Sequence, residues 1–490
     1  MSVETLGVER IRENPVSNGA SCLKYDIALI RVNYDTHLIT PQLGIAYLSS
    51  FLRTKGYNAL IIDGLKNRLS NSRILEILQK ENITLAGITC LSAYFNEVAS
   101  LSRYLKINGI KTIIGGVHPT FLPYQTLVET QADYVVCGEG EIPLLQLMEN
   151  EISNVLLREG RAKKIKGVYS LNDFEAENIQ LEKGEIVENL DELPFPDWWQ
   201  MNPQTFPPAP HGALAKHFPI GTIFSTRGCP YSCKFCASPS FYNKKVRFRS
   251  AENVVDEIEL LAKKYGVREI QFEDDNLTLN RTHIENICEL LLSRNINLSF
   301  SCPNGIRADK IDNALAKLMK KAGFYYCALG IESANANILQ NICKNETLDI
   351  MQNAISILNK NHIISQGFFV FGLPGETKES IEETIRFALR SGLERAQFLI
   401  LDILPGSDLW TELQGQFVSN FSKNSYKEPE WIPEGLSRDD LLKAQSKAFG
   451  KFFLRPKSII KNLLYIKPNQ IGYIIKRLVD YRIIHNRQKR

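Results

Sequence analysis

The sequence predicts an α/β protein with two consecutive parallel sheets. Short apolar runs rich in β-branched residues alternate with amphipathic helical patterns, as they do in parallel sheets covered on both faces. This alternation occurs in two blocks, which are separated by a polar stretch rich in proline and aromatic residues. A length of 490 residues suits two or three domains, and 44% hydrophobic with 23% charged residues is an ordinary globular composition.

The first block predicts a doubly wound, Rossmann- or flavodoxin-like domain with five parallel strands, whose ligand lies at the carboxyl ends of the strands. The predicted strands are 25–32, 58–63, 85–90, 111–116 and 133–138. The predicted helices are 43–55, 70–81, 94–107 and 123–131. The loops "GGVHPT" (115–120) and "GEGE" (138–141) contain small or polar residues that let a ligand approach the backbone.

The second block predicts a partial (β/α)6 TIM barrel with its chemistry at the carboxyl ends of the strands. The predicted strands are 219–226, 269–275, 298–305, 325–333, 364–375 and 395–406. The predicted helices are 251–264, 281–293, 312–321, 346–360 and 377–391. The whole chain then divides into a polar N-terminal extension (1–23), the first α/β domain (24–150), a hairpin and linker (151–217), the barrel (218–408) and a helical, basic C-terminal region (409–490).

Ten cysteines are spread along the chain, and only Cys229, Cys233 and Cys236 are clustered. This usage predicts a cytoplasmic protein with free thiols and one metal site rather than a disulfide scaffold. The N-terminus has no apolar signal core, and the chain has no apolar run of about 18 residues that would predict a spanning helix.

The three cysteines follow the first predicted barrel strand, within "STRGCPYSCKFCASPSFY" (225–242). A Cys-x₃-Cys-x₂-Cys spacing lets three thiolates hold an iron–sulfur cluster, and one iron of a four-iron cluster then stays open to a substrate or cofactor. A zinc site would need a fourth Cys or His nearby, and His211, His217 and His283 show no ligand spacing.

The loop "CPYSCKFC", with an aromatic residue before its last cysteine, resembles the signature of radical S-adenosylmethionine (SAM) enzymes. The resemblance implies a [4Fe-4S] cluster on the three cysteines, whose open iron binds SAM. "EDDN" (273–276), "GIES" (330–333) and "FGLPGET" (371–377) look like further motifs of this family. The SAM-binding residues implied in this way, with the nearby arginine of "NGIRADK", are Phe235, Asp274, Asp275, Arg307, Glu332, Ser333, Gly372 and Pro374. For the acids the alternative is a helix cap or a solvated turn, and for Arg307 a surface ion pair.

A five-stranded domain ahead of such a core resembles the cobalamin-binding subgroup that includes magnesium-protoporphyrin cyclase-like proteins and class B methyltransferases. The resemblance covers roughly 25–455, and "IIGGVHPTFLPYQTLVETQADYVVCGEGE" (113–141) is its most specific part. It implies that cobalamin lies across the strand ends with its nucleotide tail running into the sheet. The implied cobalamin-binding residues are Thr89, Ser92, Gly115, Gly116, His118, Pro119, Gly138 and Glu139, with His118 as a pocket wall rather than a ligand.

Asp35 and His37 have the spacing of the Asp-x-His-x-x-Gly motif, which supplies a histidine to cobalt in many cobalamin domains. Thr40 stands where the motif has glycine, and glycine is needed because the loop turns beneath the corrin. We therefore expect His37 to be a surface loop residue rather than a cobalt ligand.

The resemblance implies a cobalamin-dependent radical SAM methyltransferase, which methylates an unactivated carbon of a small-molecule or lipid-like substrate through a 5′-deoxyadenosyl radical and methylcobalamin. One alternative keeps both cofactors but carries out an oxidative cyclisation or ring rearrangement. Two further hypotheses are a cobalamin sensor with a degenerate core, which the three intact cysteines argue against, and a radical enzyme whose first domain is empty.

Residues 451–490 carry eleven Lys and Arg and one acid, within a total net charge of +4. Their near-helical apolar pattern is typical of a helix packed on the barrel with a solvated basic face, or of a peripheral contact with an anionic membrane. The expected partners are a small-molecule substrate and an electron donor such as flavodoxin or ferredoxin, and no nucleic acid is expected.

Overall fold

The computed structural model describes residues 24–36, 38–157, 164–175, 179–208, 215–419, 421, 428–455, 471 and 475. The predicted fold class is confirmed, because two six-stranded sheets follow one another along the chain. His37 and most of the basic tail (451–490) lie outside the described residues, so the expectations for them stay predictions.

The first sheet contains the five predicted strands and one more. Its strands are β1 (Ile27–Arg31), β2 (Ala59–Asp63), β3 (Leu85–Thr89), β4 (Lys111–Gly115), β5 (Tyr134–Val136) and β6 (Val168–Tyr169). The first five are parallel in the order β2-β1-β3-β4-β5, which is the flavodoxin-like order. A separate apolar cluster covers each face of this sheet, which explains why every residue of β1 is buried.

The strand β6 lies in the region predicted to hold a hairpin (151–217), and it pairs antiparallel with β5. Among the described residues of that region, no strand pairs with another strand of the same region. A two-residue strand has too little alternation to be recognised in a sequence, so its pairing partner could not be predicted.

The second sheet is the partial barrel. The strands from this part of the chain are β7 (Ile220–Ile223), β8 (Thr226–Arg227), β9 (Arg247–Phe248), β10 (Glu269–Phe272), β11 (Ser299–Ile306), β12 (Phe324–Glu332), β13 (Ile364–Phe371) and β14 (Arg395–Ile400). Six of them are parallel in the order β14-β13-β12-β11-β10-β7, while β8 and β9 form a separate antiparallel pair.

Helices connect the strands in both domains. Those of the first domain are α1 (Leu43–Thr54), α2 (Gly64–Asn67), α3 (Asn71–Lys80), α4 (Phe95–Ile107), α5 (Val117–Phe121), α6 (Pro123–Thr130) and α7 (Glu141–Leu157). Those that follow are α8 (Ser238–Phe241), α9 (Ala251–Tyr265), α10 (Arg281–Ser293), α11 (Asn313–Ala322), α12 (Ala336–Asn341), α13 (Leu348–Lys360), α14 (Lys378–Arg390), α15 (Asp408–Glu412) and α16 (Arg438–Phe453). Within the described ranges, no helix has the length and apolar character needed to cross a bilayer.

The two domains share one apolar core. Leu43 and Tyr47 of α1 pack into the same cluster as the helices and strands of the barrel, together with Trp198 from the linker. The buried Trp198 indole donates a hydrogen bond to Glu257 on α9 at 2.8 Å. The first domain is therefore packed against the β7 side of the barrel, and the carboxyl ends of the two sheets face a common boundary.

Candidate functional site

The cysteine loop connects β8 to β9, and β8 itself begins three residues after the end of β7. Gly228, the residue before the first cysteine, has a φ of +105°, and a Cβ there would lie 2.1 Å from the carbonyl oxygen of Lys245. Only glycine fits such a close approach of two backbone segments. The short helix α8 begins two residues after Cys236, so regular structure limits the loop on both sides.

Cys229, Cys233 and Cys236 are free, half-buried thiols. Burial raises the pKa of all three, that of Cys236 to about 12, so the binding of iron has to release protons. Across the described part of the chain, no three His, Cys, Asp or Glu side chains converge as one metal ion requires. Three cysteines on one loop fit a four-iron cluster, which takes one thiolate at each of three corners and leaves the fourth iron open.

Contacts with the barrel give the cysteine loop a defined shape. The Lys234 N–H donates to the carbonyl oxygen of Ile342 at 3.0 Å, and the Lys234 carbonyl accepts from the Leu409 N–H at 2.9 Å. The Arg307 guanidinium lies over the ring of Tyr231, 3.8 Å from its centroid. The loop is therefore held by residues from three separate parts of the chain, two in the barrel and one just after it.

The two aspartates after β10 have different environments. Asp274 is buried and accepts hydrogen bonds from Ser225 Oγ at 2.7 Å and Thr226 Oγ1 at 2.6 Å, so its carboxylate joins the ends of β7 and β10. Asp275 accepts from Ser238 Oγ at 2.7 Å at the start of α8, and burial raises its pKa. Asp274 therefore supports a strand end, in contrast to the expected SAM contact, and Asp275 is the aspartate beside the cysteine loop.

A charge network lies next to Cys233, and we call it the lysine network: Glu332, Lys344, Glu346 and Arg307, which are buried, and the exposed Asp309. Lys344 Nζ lies 3.3 Å from Glu332 and 3.5 Å from Glu346. Arg307 pairs with Asp309 at 2.9 Å, lies 3.8 Å from Glu346, and donates to the carbonyl oxygens of residues 344 and 345. Arg307 is itself buried and forms ion pairs, as the alternative expectation stated: one with the exposed Asp309 and a longer one with the buried Glu346.

Glu332 combines an unusual backbone with an unusual charge environment. Its φ is +64°, a left-handed conformation that is uncommon for glutamate and concentrates at functional sites. Burial raises the pKa of its carboxyl group, and the ammonium group of Lys344 acts in the opposite direction. A Cβ on Gly330 would lie 2.6 Å from Glu332 and 2.8 Å from Lys344 Nζ, so the glycine leaves room for this pair.

The other predicted SAM residues lie at the ends of β12 and β13 and on the cysteine loop. The buried Ser333 Oγ lies 3.3 Å from Thr384 Oγ1 on α14. Gly372 has a φ of +91°, and Pro374 follows it half-buried in the same turn. Phe235 packs against the apolar core of the barrel.

Glu376 holds the turn after β13. Its Oε2 accepts a hydrogen bond from the Gly372 N–H at 2.5 Å. Its Oε1 is buried and has no hydrogen-bond partner among the described residues. Burial raises the pKa of this carboxyl group to about 8, so it is largely protonated near neutral pH.

A cavity of about 280 Å³ opens at the carboxyl ends of the first sheet. Strands β1, β3, β4 and β5 form its floor, and α1 and α7 contribute its sides. Six glycines line it: Gly44, Gly87, Gly115, Gly116, Gly138 and Gly140. A Cβ on Gly116 would lie 2.7 Å from the carbonyl oxygen of Cys90. The volume suits one aromatic ring system rather than a whole corrin, so the cavity fits the nucleotide tail of cobalamin.

Five predicted cobalamin-binding residues line this cavity, namely Thr89, Gly115, Gly116, Gly138 and Glu139. The barrel domain contributes Phe224, Arg227, Phe241 and Tyr242 to the same wall. The cavity is therefore bounded by both domains, and Arg227 stands only two residues before the first cysteine of the loop.

Ser92, His118 and Pro119 do not line the cavity, so His118 is not the pocket wall that the sequence led us to expect. The His118 ring is fully buried between Phe95, at 4.2 Å between centroids, and Phe421, at 4.7 Å. Its Nδ1 lies 2.9 Å from Ser92 Oγ, and burial lowers its pKa to about 3. His118 is therefore a neutral packing residue.

Comparison with known proteins identifies the family. The Radical SAM superfamily model matches residues 223–388, and the B12 binding domain model matches residues 29–148. An uncharacterized methyltransferase of Pyrococcus horikoshii is 31% identical over 446 residues, which cover 90% of this chain and 92% of that protein. The chain belongs to the cobalamin-binding radical SAM family. This membership confirms the predicted enzyme class and the predicted cofactors, which are a [4Fe-4S] cluster, SAM and cobalamin.

Two further matches place this radical SAM enzyme among its relatives. The anaerobic magnesium-protoporphyrin IX monomethyl ester cyclase of Rubrivivax gelatinosus is 29% identical over 84% of this chain and 74% of the cyclase. The structure of the radical SAM methyltransferase TsrM from Kitasatospora setae matches with a TM-score of 0.66 and 16% identity, over 91% of this chain and 90% of TsrM. At this identity, the likeness to TsrM establishes the fold alone.

The inner face of this radical SAM barrel carries polar side chains, where barrel interiors are usually filled by Val, Ile and Leu. Thr222, Gln271 and Ser301 lie side by side in the register of β7, β10 and β11, and Gln366 lies on β13. Each is buried and has a polar atom without a hydrogen-bond partner among the described residues. Buried polar groups are normally satisfied by water or a ligand, so this face requires a polar occupant.

Sequence reasoning missed Lys344, Glu346, Tyr231 and Arg227. Tyr231 lies within the cysteine motif and Arg227 just before it, while Lys344 and Glu346 follow "GIES". None of the four has a local pattern that indicates its contacts. Lys344 and Glu346 meet Glu332 only because the chain turns back after α12, at Cys343 with a φ of +54°. For Arg227 the sequence held no signal, because its burial and its two glutamate partners are visible only in the structure.

Proposed function

We propose that this enzyme methylates an unactivated carbon of a small-molecule substrate, using cobalamin, SAM and a [4Fe-4S] cluster. One observation carries the proposal: the cavity in the first sheet and the cysteine loop of the barrel lie at the same boundary, with Arg227 in contact with both. Both cofactors then have access to one shared space at the carboxyl ends of the two sheets. The methyltransferase relative from Pyrococcus horikoshii, which matches nearly the whole chain, supports methyl transfer.

In this proposal, Cys229, Cys233 and Cys236 hold the cluster. When bound, the cluster supplies the electron that cleaves SAM, and cobalamin carries the methyl group that is transferred. The glycines of the cavity leave room for the nucleotide tail of cobalamin. The buried cation of Lys344 and the carboxylate of Glu332 are placed to contact the charged methionyl part of SAM, because both lie next to the cysteine loop.

The remaining SAM contacts that we propose come from the strand ends. Asp275 and Phe235 lie at the cysteine loop, Ser333 at the end of β12, and Gly372 and Pro374 in the turn after β13. Asp274 and Arg307 support these groups through their own hydrogen bonds and ion pairs. For cobalamin, we propose contacts from Thr89, Gly115, Gly116 and Gly138, while Glu139 is engaged by arginines.

For the substrate, we propose that a hydrogen-bonding portion faces the polar inner side of the barrel. A lipid-like portion would agree with a membrane contact of the basic region 451–490. The cluster needs an external electron, so we also propose a flavodoxin or ferredoxin partner and, from the free cysteines, a cytoplasmic location.

A second candidate function is oxidative cyclisation or ring rearrangement with the same cofactors. The observation that favours it is the resemblance to the anaerobic cyclase of Rubrivivax gelatinosus over 84% of this chain. The two candidates differ in the fate of the methyl group of SAM, which appears in the product only in methyl transfer.

The experiment that decides between them uses anaerobically reconstituted enzyme, cobalamin, reductant, a metabolite extract and SAM labelled in its methyl group. A labelled product that is one methyl heavier than its precursor supports the proposal. A product without label, formed together with 5′-deoxyadenosine, supports the second candidate. Absence of a corrin spectrum after reconstitution, or of any 5′-deoxyadenosine, contradicts both.

A further inference from the structure

Four charged residues lie at the boundary between the cobalamin cavity and the cysteine loop: Arg227, Arg247, Glu139 and Glu141, here called the boundary cluster. Arg227 Nη1 lies 2.5 Å from Glu139 Oε2 and 2.8 Å from Glu141 Oε1. Arg247 donates to the other oxygen of Glu139. The four side chains are only 5% to 11% exposed, so water screens these ion pairs weakly.

The two arginines come from the structure that carries the cysteines. Arg227 on β8 is paired in register with Arg247 on β9, and the cysteine loop lies between these strands. The two glutamates come from the first domain, one directly after β5 and the other at the start of α7. The Arg227 guanidinium also lies over the ring of Tyr47 on α1, 5.1 Å from its centroid. One side chain therefore links the cysteine loop to three parts of the first domain: the loop after β5, the start of α7, and α1.

The boundary cluster is also part of the cavity wall, since Arg227, Glu139 and Glu141 all line it. Two cations and two anions balance one another, so the cluster is electrically neutral as a whole. Burying ion pairs is a poor way to gain stability compared with apolar packing. An apolar contact would also hold the two domains together, but it would restrict their relative position less than the Arg227 side chain does, since its Nη1 contacts both glutamates and its guanidinium lies over Tyr47.

We infer that Arg227 and Glu139 are positioning residues that fix the cysteine loop against the wall of the cobalamin cavity and thereby set the distance between the two cofactors. The inference rests on the proposed function, because only an enzyme that uses both cofactors on one substrate needs this distance fixed. Reactions between held groups lose much of their rate when the groups are displaced by about 1 Å. Binding of cobalamin in the cavity should then restrict the motion of the cysteine loop.

The test uses the full chain with its cluster loaded and without cobalamin, under anaerobic conditions, with hydroxocobalamin as the probe. Glu139→Gln keeps the shape of the side chain but removes its charge. Arg227→Lys keeps the charge, but it lacks the planar guanidinium that lies over the Tyr47 ring while its Nη1 contacts both glutamates. Glu257→Gln is the matched control, because Glu257 forms an equally buried pair with Arg249 at 2.5 Å but does not line the cavity.

Two quantities are measured: the dissociation constant of hydroxocobalamin, and the hydrogen-exchange protection of residues 226–248 when it binds. In the wild-type chain, binding should increase protection of this segment. In Glu139→Gln and Arg227→Lys, the dissociation constant should rise at least tenfold and the added protection should be lost. Glu257→Gln should stay within twofold of the wild type in both quantities, even where its melting temperature falls.

A spectroscopic measurement reports the distance between the cluster and cobalamin directly. The relaxation enhancement of the cob(II)alamin electron spin by the reduced cluster depends on the distance between them, and it should indicate one narrow distance in the wild type. In Glu139→Gln at saturating cobalamin, the distribution should broaden. Wild-type affinity, protection and distance in both variants would overturn the inference and leave the proposed function standing. A wild-type chain that binds no hydroxocobalamin would overturn both the inference and the proposed function, so the two failures can be told apart.

Discussion

The cavity of the first domain and the lysine network of the barrel lie at equivalent places, at the carboxyl ends of parallel strands, but they are built differently. Glycines and apolar side chains form most of the cavity, whereas the lysine network consists mainly of buried charges that pair with one another. A large and rigid ligand is recognised mainly by shape, so it needs space and close backbone approach. A small charged ligand beside a redox centre is recognised mainly by oriented charges.

The largest expected effect comes from removing one cluster ligand, which should abolish the chemistry at the barrel and leave cobalamin binding by the first domain nearly unchanged. Cys233→Ala removes one of three cluster ligands, so iron content should fall and 5′-deoxyadenosine formation should drop by about a thousandfold or more. Affinity for hydroxocobalamin should stay within about threefold of wild type, because Cys233 does not line the cavity. Iron and sulfide analysis, product assay and a binding titration measure these quantities. Cys343→Ala is the control, since it removes a nearby thiol outside the motif and should retain iron. Full iron content in Cys233→Ala would show that another residue holds the cluster.

The next effect concerns the charges of the lysine network. Lys344→Met leaves Glu332 and Glu346 buried without their shared cation, so the free energy of unfolding should fall by about 3–5 kcal/mol. Denaturant unfolding under anaerobic conditions measures it. Lys447→Met is the control, because Lys447 pairs with Glu382 at the surface with 42% of its side chain exposed, and its loss should cost under about 1 kcal/mol. Equal losses of unfolding free energy in Lys344→Met and Lys447→Met would contradict the role of Lys344 as the shared buried cation of Glu332 and Glu346.

The shape of the cavity can be tested without changing a charge. A Cβ on Gly115 would have only Val136 nearby, at 4.0 Å, so a larger side chain enters the cavity without a backbone clash. Gly115→Leu should weaken hydroxocobalamin binding by about a hundredfold, or roughly 2.7 kcal/mol, and leave iron content unchanged. Gly450→Leu, where no atom lies within 4 Å of the added Cβ, should bind as wild type does. Undiminished binding by Gly115→Leu would mean that cobalamin lies elsewhere.

The smallest effect is a pH dependence at the barrel end. The pKa of Glu376 is about 8 in the folded chain against an ordinary value of 4.5, so the folded state keeps a proton that the unfolded state releases between these values. Its contribution to stability is therefore complete below about pH 4.5 and is lost as the pH rises through 8. Glu376→Gln does not titrate, so its stability relative to wild type should rise by about 1 kcal/mol between pH 7.0 and pH 8.5. Thermal unfolding at several pH values measures the difference, and parallel curves for the two proteins would contradict it.

The features that could be predicted from the sequence are those that depend on residues close together along the chain. The eleven parallel strands were recognisable because each is a continuous apolar run between helical patterns, and the cluster ligands because three cysteines lie within eight residues. The strand β6 and the pair β8–β9 escaped, because two residues carry no periodicity.

Contacts between distant residues explain the other differences. Asp274 was predicted to contact SAM because it follows the end of β10. In the structure, Ser225 and Thr226, which follow the neighbouring strand β7, donate hydrogen bonds to its carboxylate. His118 stands in the most specific motif of the first domain, yet Phe421, some three hundred residues later, covers it. Such pairings depend on tertiary packing, which no local pattern contains.

The Arg307–Tyr231 stack and the two backbone hydrogen bonds of Lys234 are contacts of the polypeptide itself, and none of them needs iron to form. Many small metal sites acquire their shape only when the ion binds, and they unravel when a chelator removes it. We expect these metal-independent contacts to keep the cysteine segment folded when the cluster is removed. Oxygen damage to the inorganic core should therefore be repairable: iron and sulfide can be stripped out and supplied again to a polypeptide that has stayed folded throughout.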